Sequence, residues 1–144
     1  MSIPDVVAIE DDLRNINESF YRAFRTRDVL AMEELWARDA PVACVHPGMG
    51  VVRGRTEVMR SWKGILQHPN APVLHTSQVE VHVLGTTAFV TCLAGREGQD
   101  PRIVATNIFT MEDGGWRLVH HHAAPLAARK ASKPAADEDP FRFN

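Results

Sequence analysis

Around Pro72 the apolar residues of this chain change their spacing, and that change limits the fold more than any other feature. Before it, Ile9, Leu13, Ile16, Phe20 and Phe24 recur at steps of four, three, four and four, the stripe of an amphipathic helix running from about Asp5 to Arg27. Asp28 is placed to cap a shorter helix whose buried face is Leu30, Leu35 and Trp36. "PVACVHPG" reads as a short strand stopped by Pro47 and Gly48, and Val58, Trp62, Ile65 and Leu66 mark a third helix that ends before Pro69. After Pro72 the period is two: Val79, Val81 and Val83 alternate with Gln78, Glu80 and His82. "AFVTCLAG", "RIVATNIFTM" and "WRLVHHHA" follow, separated by the turn signals "LGTT", "REGQDP" and "EDGG". Helices followed by an antiparallel meander, with a short strand pair between the second and third helices, predict an α+β fold with the helices on one face of a curved sheet. The sheet's other face carries Val119, Ile108 and Phe89, which predicts a homodimer through that outer face.

Composition narrows the function classes. The chain has 144 residues, 44% hydrophobic and 24% charged, enough for one domain with a real core. Residues 1–125 are expected to form that domain, and 126–144, rich in Ala, Pro and charge, a surface-lying or disordered tail. A net charge of −2 offers no field for nucleic acid or an anionic membrane. No apolar run approaches the ~20 residues of a membrane span. The acidic N-terminal segment lacks the layout of a signal peptide. Cys44 and Cys92 form no Cys-x-x-Cys pair, which argues against a disulfide scaffold or structural zinc and for a reduced, cytoplasmic protein.

Asp113-Gly114 is the strongest hairpin signal in the chain. With those two residues as the loop, Met111 faces Trp116, Phe109 faces Leu118, Asn107 faces His120 and Ala105 faces His122. Trp116, Leu118, His120 and His122 then share the inner face with Asn107, while His121 points outward with Val119 and Arg117. A polar trio beside the apolar wall of Phe109 and Leu118 has two readings, a ligand pocket or a core patch in which Asn107 satisfies His120. Cys44 and His46 face one way if their segment is a strand and would add to the same wall, although a buried Cys also serves as a small apolar residue. Tyr21 adjoins Phe20 on the first helix and points either into the pocket or to its rim. Trp36 and Trp62 fit the helix stripes as core residues that also line a cavity.

The pieces "CVHPG", "GRTEVMRSW", "ATNIF" and "GGWRLVHHHAAP", in this order and spacing, resemble the SnoaL-like group of the NTF2-like superfamily, over roughly Asp5 to Pro125. The resemblance implies a cone-shaped fold, its curved antiparallel sheet enclosing a pocket with three helices packed on the concave face, commonly as a homodimer. Members include polyketide cyclases, ketosteroid isomerases, dehydratases and proteins that only bind or assemble, so the fold leaves the reaction open. Cyclases and isomerases of this kind use a pocket Asp as acid and base. Here the aspartates fall at helix ends, on a polar helix face, in turns or in the tail.

Histidine is the available substitute, since its ordinary pKa of ~6.5 suits proton transfer near neutrality. His120 or His122 would act as base, with Tyr21 or Asn107 donating a hydrogen bond to an enolate oxygen. The first reading is thus a pocket protein for a small, mostly apolar organic molecule, possessing His-assisted isomerase, cyclase or dehydratase chemistry and requiring no cofactor. A non-catalytic binding or dimerisation module is the second. The third is a metal-dependent enzyme using the His-x-His pair with His46 or Cys44 as a further ligand.

Overall fold

The computed structural model describes residues 3–127; the tail expected beyond Pro125 lies, from residue 128 onward, outside the described residues. Helix α1 spans Ile3–Arg25, and its stripe buries Leu13, Phe20 and Phe24. Asp5 in its first turn and Arg22 and Arg25 in its last complement the helix dipole. Asp28 caps α2 (Val29–Leu35) by accepting the Ala31 N–H at 3.0 Å. Leu30, expected on the buried face of this helix, is exposed; Met32 fills the core position instead. Helix α3 (Arg55–Gln67) buries Val58, Trp62 and Leu66.

The strands are β1 (Ala43–Val45), β2 (Val51–Arg53), β3 (His75–Leu84), β4 (Thr87–Gly95), β5 (Ile103–Glu112) and β6 (Gly115–Pro125). They form one sheet in the order β2-β1-β6-β5-β4-β3. The meander β3 to β6 is antiparallel as its alternation predicts, and β1 pairs with β2 in the same sense. The parallel pairing of β1 with β6 has no local signal in the sequence, and it extends the sheet to the side where α3 packs. Helix α1 lies across β3 and β4. The core between helices and sheet is built on Phe20, Trp36, Trp62, Phe109 and Leu118. Among the described residues, no helix is long and apolar enough to cross a membrane.

The β5–β6 hairpin begins as expected. Asp113 (φ 52°) and Gly114 (φ 77°) both occupy the left-handed region, as a two-residue turn of the primed type requires. Met111 faces Trp116 and Phe109 faces Leu118. Beyond that point the expected register fails. Phe109 pairs with Leu118 but Ile108 pairs with His120, so Val119 is an extra residue on β6, a β-bulge. Two residues of β6 oppose one of β5 there, and every later side chain changes face. Val119, expected on the outer face, is half-buried and packs against the core. Phe89 and Ile108 do lie half-buried on the side opposite Val90, Asn107 and Phe109.

Candidate functional site

The bulge decides which histidine enters the protein. His120 and His122, expected on the inner face, point outward, where His122 is exposed and their rings stand 6.0 Å apart. Asn107 faces His121 and Ala105 faces Ala123; His120 lies opposite Ile108 and His122 opposite Thr106. The expected trio is therefore replaced by a single buried imidazole, His121, 4% exposed.

That imidazole heads a buried polar chain. Its Nδ1 lies 2.6 Å from Oδ1 of Asn107. The Asn107 amide donates to Oδ1 of Asn17 at 2.8 Å and to the Tyr21 hydroxyl at 3.4 Å, and the Cys92 thiol reaches the same hydroxyl at 3.4 Å. Asn17 lies on α1 one turn after Leu13 and one turn before Tyr21, so the helix and the bulged strand meet through this chain. Five side chains are joined in this chain inside the core, with the Nδ1 edge of His121 bonded and its Nε2 left over.

His121 also lines a cavity of about 220 Å³. Its wall includes Tyr21 and Phe24 from α1, Trp62 and Ile65 from α3, His46 and Pro47 after β1, and Ile103 and Ala123 from the sheet. Among the described residues, no charged side chain lines it. His46 is 4% exposed and its Nε2 is 3.0 Å from Oγ of Ser61. Ser61 commits its own proton to the Val58 carbonyl at 2.7 Å, so His46 Nε2 is the donor and the ring is held with its proton there. The rings of His46 and His121 stand 6.4 Å apart, with Trp62 packed edge-on against His46 and tilted against His121.

Burial sets the charge state of this wall. Loss of solvent lowers the His121 pKa to about 3, with smaller contributions from the neighbouring imidazoles of His46, His120 and His122. Burial lowers the His46 pKa as well. It raises the Tyr21 phenol well above its ordinary value, with the Cys92 thiol adding to the shift. Cys44 is pushed up to about 12 by burial, partly opposed by the Trp62 indole, so it is an inert thiol beside the His46 ring. At neutral pH the described residues of the wall are uncharged.

Of the residues singled out from the sequence, His46, Trp62 and Tyr21 line the cavity. Asn107 stands one layer behind it, bonded to His121, while Cys44, Trp36, Phe109 and Leu118 are core residues outside the wall. His121, Asn17 and Phe24 were not picked out as site residues. The signal for Asn17 was a polar residue at helical spacing from Leu13 and Tyr21. His120 and His122 gather no third ligand among the described residues. Among the described residues, the one cluster of three potential ligands is Asp39, Glu112 and Asp113. There Glu112 already accepts the backbone N–H groups of Arg38, Asp39 and Ala40 at 2.6, 3.2 and 3.0 Å.

Residues 13–128 match the model of the SnoaL-like domain. The chain belongs to that family. A solved relative in the NTF2-like family, a candidate dehydratase from Streptomyces avermitilis, is 32% identical with a TM-score of 0.72, covering 82% of this chain and 96% of its own. A candidate association domain of calcium/calmodulin-dependent protein kinase type II from Thiobacillus denitrificans is also 32% identical, with a TM-score of 0.67 and coverage of 78% and 93%. Among curated proteins, the F-box protein SKIP8 of Arabidopsis thaliana is 28% identical over 112 residues, or 78% of this chain and 48% of that protein. This SnoaL-like chain thus spans about half the length of that relative. An enzyme-type name and an assembly-type name occur at equal identity, so the family leaves the choice between them to the site.

Proposed function

We propose that this SnoaL-like protein binds a small, mostly apolar organic molecule in the cavity beneath α3 and holds it through His121. The observation that carries this reading is the free edge of that ring. Among the described residues nothing bonds Nε2 of His121, so its lone pair is free to accept a hydrogen bond from a molecule that enters. Aromatic and aliphatic walls with one or two polar groups are the usual composition of a small-molecule site. Since a ~150 Å³ apolar cavity accommodates benzene, about 220 Å³ suits a one-ring or fused two-ring molecule.

The same site supports isomerisation, cyclisation or dehydration only under one condition. Placing a proton on His121 costs about 5 kcal/mol more than on an ordinary histidine, from a pKa of about 3 against ~6.5. Proton abstraction therefore runs only where the ligand's new negative charge stays against the imidazolium. The candidate dehydratase among the solved relatives favours this chemistry, and the uncharged wall favours a purely binding role. Two copies pair through the outer sheet face, where Phe89 and Ile108 are half-buried and Val104 is 39% exposed. Both thiols are free, as suits the reducing cytoplasm.

Native mass spectrometry with a library of one-ring and two-ring fragments tests the binding reading. Retained fragments whose signal disappears in His121→Phe are expected; a library without a single retained member sinks it. Light scattering of wild type and Ile108→Glu tests the pairing, with a dimer expected to become a monomer.

A further inference from the structure

We infer that the occupant of this cavity is a neutral molecule offering a hydrogen-bond donor (a hydroxyl, an enol or an amide N–H) to Nε2 of His121, and that Asn17 and Asn107 impose this choice by fixing the ring's tautomer. The inference rests on the binding reading above and adds the chemical class of the ligand.

The argument follows the protons along the buried chain. Both the Asn17 and the Tyr21 contacts are made by the amide nitrogen of Asn107, so its carbonyl oxygen is the atom left facing His121. An oxygen only accepts, so Nδ1 of His121 must carry the proton. A neutral imidazole has one proton, and Nε2 is then a lone pair. That lone pair belongs to a ring 4% exposed, in a residue that lines the cavity, while Asn107 does not. The cavity therefore presents an acceptor, and the matching ligand atom is a donor.

Charge selection follows from what the wall lacks. Among the described residues, a carboxylate would meet an acceptor lone pair and no lining Lys or Arg. An ammonium would be desolvated with no carboxylate among the described lining residues to meet it. A plain hydrocarbon fills the space but leaves Nε2 unpaired, which weakens it against the matched alcohol by about tenfold. An ether, being acceptor only, sets oxygen against nitrogen and does no better. Asn107 and Asn17 act through His121 and touch no ligand, so they are positioning residues.

The test uses four molecules of one shape on the full chain: 5-indanol, indane, 5-methoxyindane and indane-5-carboxylate, titrated by calorimetry at pH 7. Indanol is expected to bind about tenfold more tightly than indane or methoxyindane, and the carboxylate not at all. In parallel, ¹³C and ¹⁵N shifts of the His121 ring report its tautomer, expected as Nδ1–H. Asn107→Asp keeps an acceptor for Nδ1–H and adds a negative charge that stabilises the imidazolium. In that variant the ring shifts should move toward the doubly protonated form, and the carboxylate should gain affinity relative to indanol. A ring carrying its proton on Nε2, which means both amides are reversed, overturns the inference even if Asn107→Asp does not fold. Equal affinity for indanol and methoxyindane overturns the ligand class while leaving the binding reading intact. Failure of all four probes removes the binding reading, and the inference with it.

Discussion

Acidification from pH 7 to pH 5 should destabilise this protein through His121 well before its carboxylates titrate. In the unfolded chain a histidine takes up its proton near pH ~6.5; in the folded protein His121 does so only at about 3. The folded state thus binds fewer protons across that window, so the stability contribution is complete above ~6.5 and lost as pH falls toward the folded value. The slope below ~6.5 is about 1.4 kcal/mol per pH unit, which gives a loss of about 2 kcal/mol at pH 5. His46, also lowered by burial, acts in the same direction. Glu112 does not confuse the measurement, because its carboxylate is held below the usual range by the backbone N–H groups of Arg38 and Ala40. Urea unfolding followed by tryptophan fluorescence reads the effect. With a slope of ~1–3 kcal/mol per molar urea, the midpoint should fall by about 1 M between pH 7 and pH 5. His121→Phe should flatten the profile. Equal pH dependence in wild type and variant would refute the claim that this imidazole is buried and neutral.

Three further outcomes follow from the same geometry. His120→Ala and His122→Ala should each leave ligand affinity within about twofold of wild type, whereas His121→Ala should cost about tenfold or more, as read by calorimetry. Ala123→Leu adds a branched side chain to the cavity wall; fragment binding should be lost by native mass spectrometry while the thermal midpoint stays level or rises, as expected when a void is filled. Gly114→Ala, at φ 77°, should destabilise the β5–β6 turn by about 1 kcal/mol in urea melts, and Asp113→Gly, which relaxes the same turn, should not.

Most of the fold was legible because its signals are local. The stripe on α1, the Asp28 cap, the period-two strands and the Asp113-Gly114 turn each depend on residues close in sequence, and the structure has them all. The site was less legible because its placement depends on two long-range events. A turn sets register only as far as the ladder is regular, and Val119 breaks it. The parallel pairing with β1 aligns Cys44 with His121 across a long separation, and no residue pattern announces it. Alternation from the turn therefore put the wrong two histidines inside. A hint was nevertheless present. Ala105 and Ala123 form a small-residue pair at the level of the cavity, where a regular ladder would have set Ala105 against an imidazole.

Val119 also divides β6 into two lengths with different allegiances. The stretch next to the turn is aligned by Asp113-Gly114, whereas the stretch carrying His121 is gripped on both sides, by β5 and by β1. A residue gained or lost at the hairpin tip can be absorbed where the ladder is already irregular, and the gripped stretch keeps its alignment. The binding chamber is in this way insulated from the most variable kind of change a hairpin undergoes, and loop length at residues 113–114 is free to drift while the imidazole inside stays where it is.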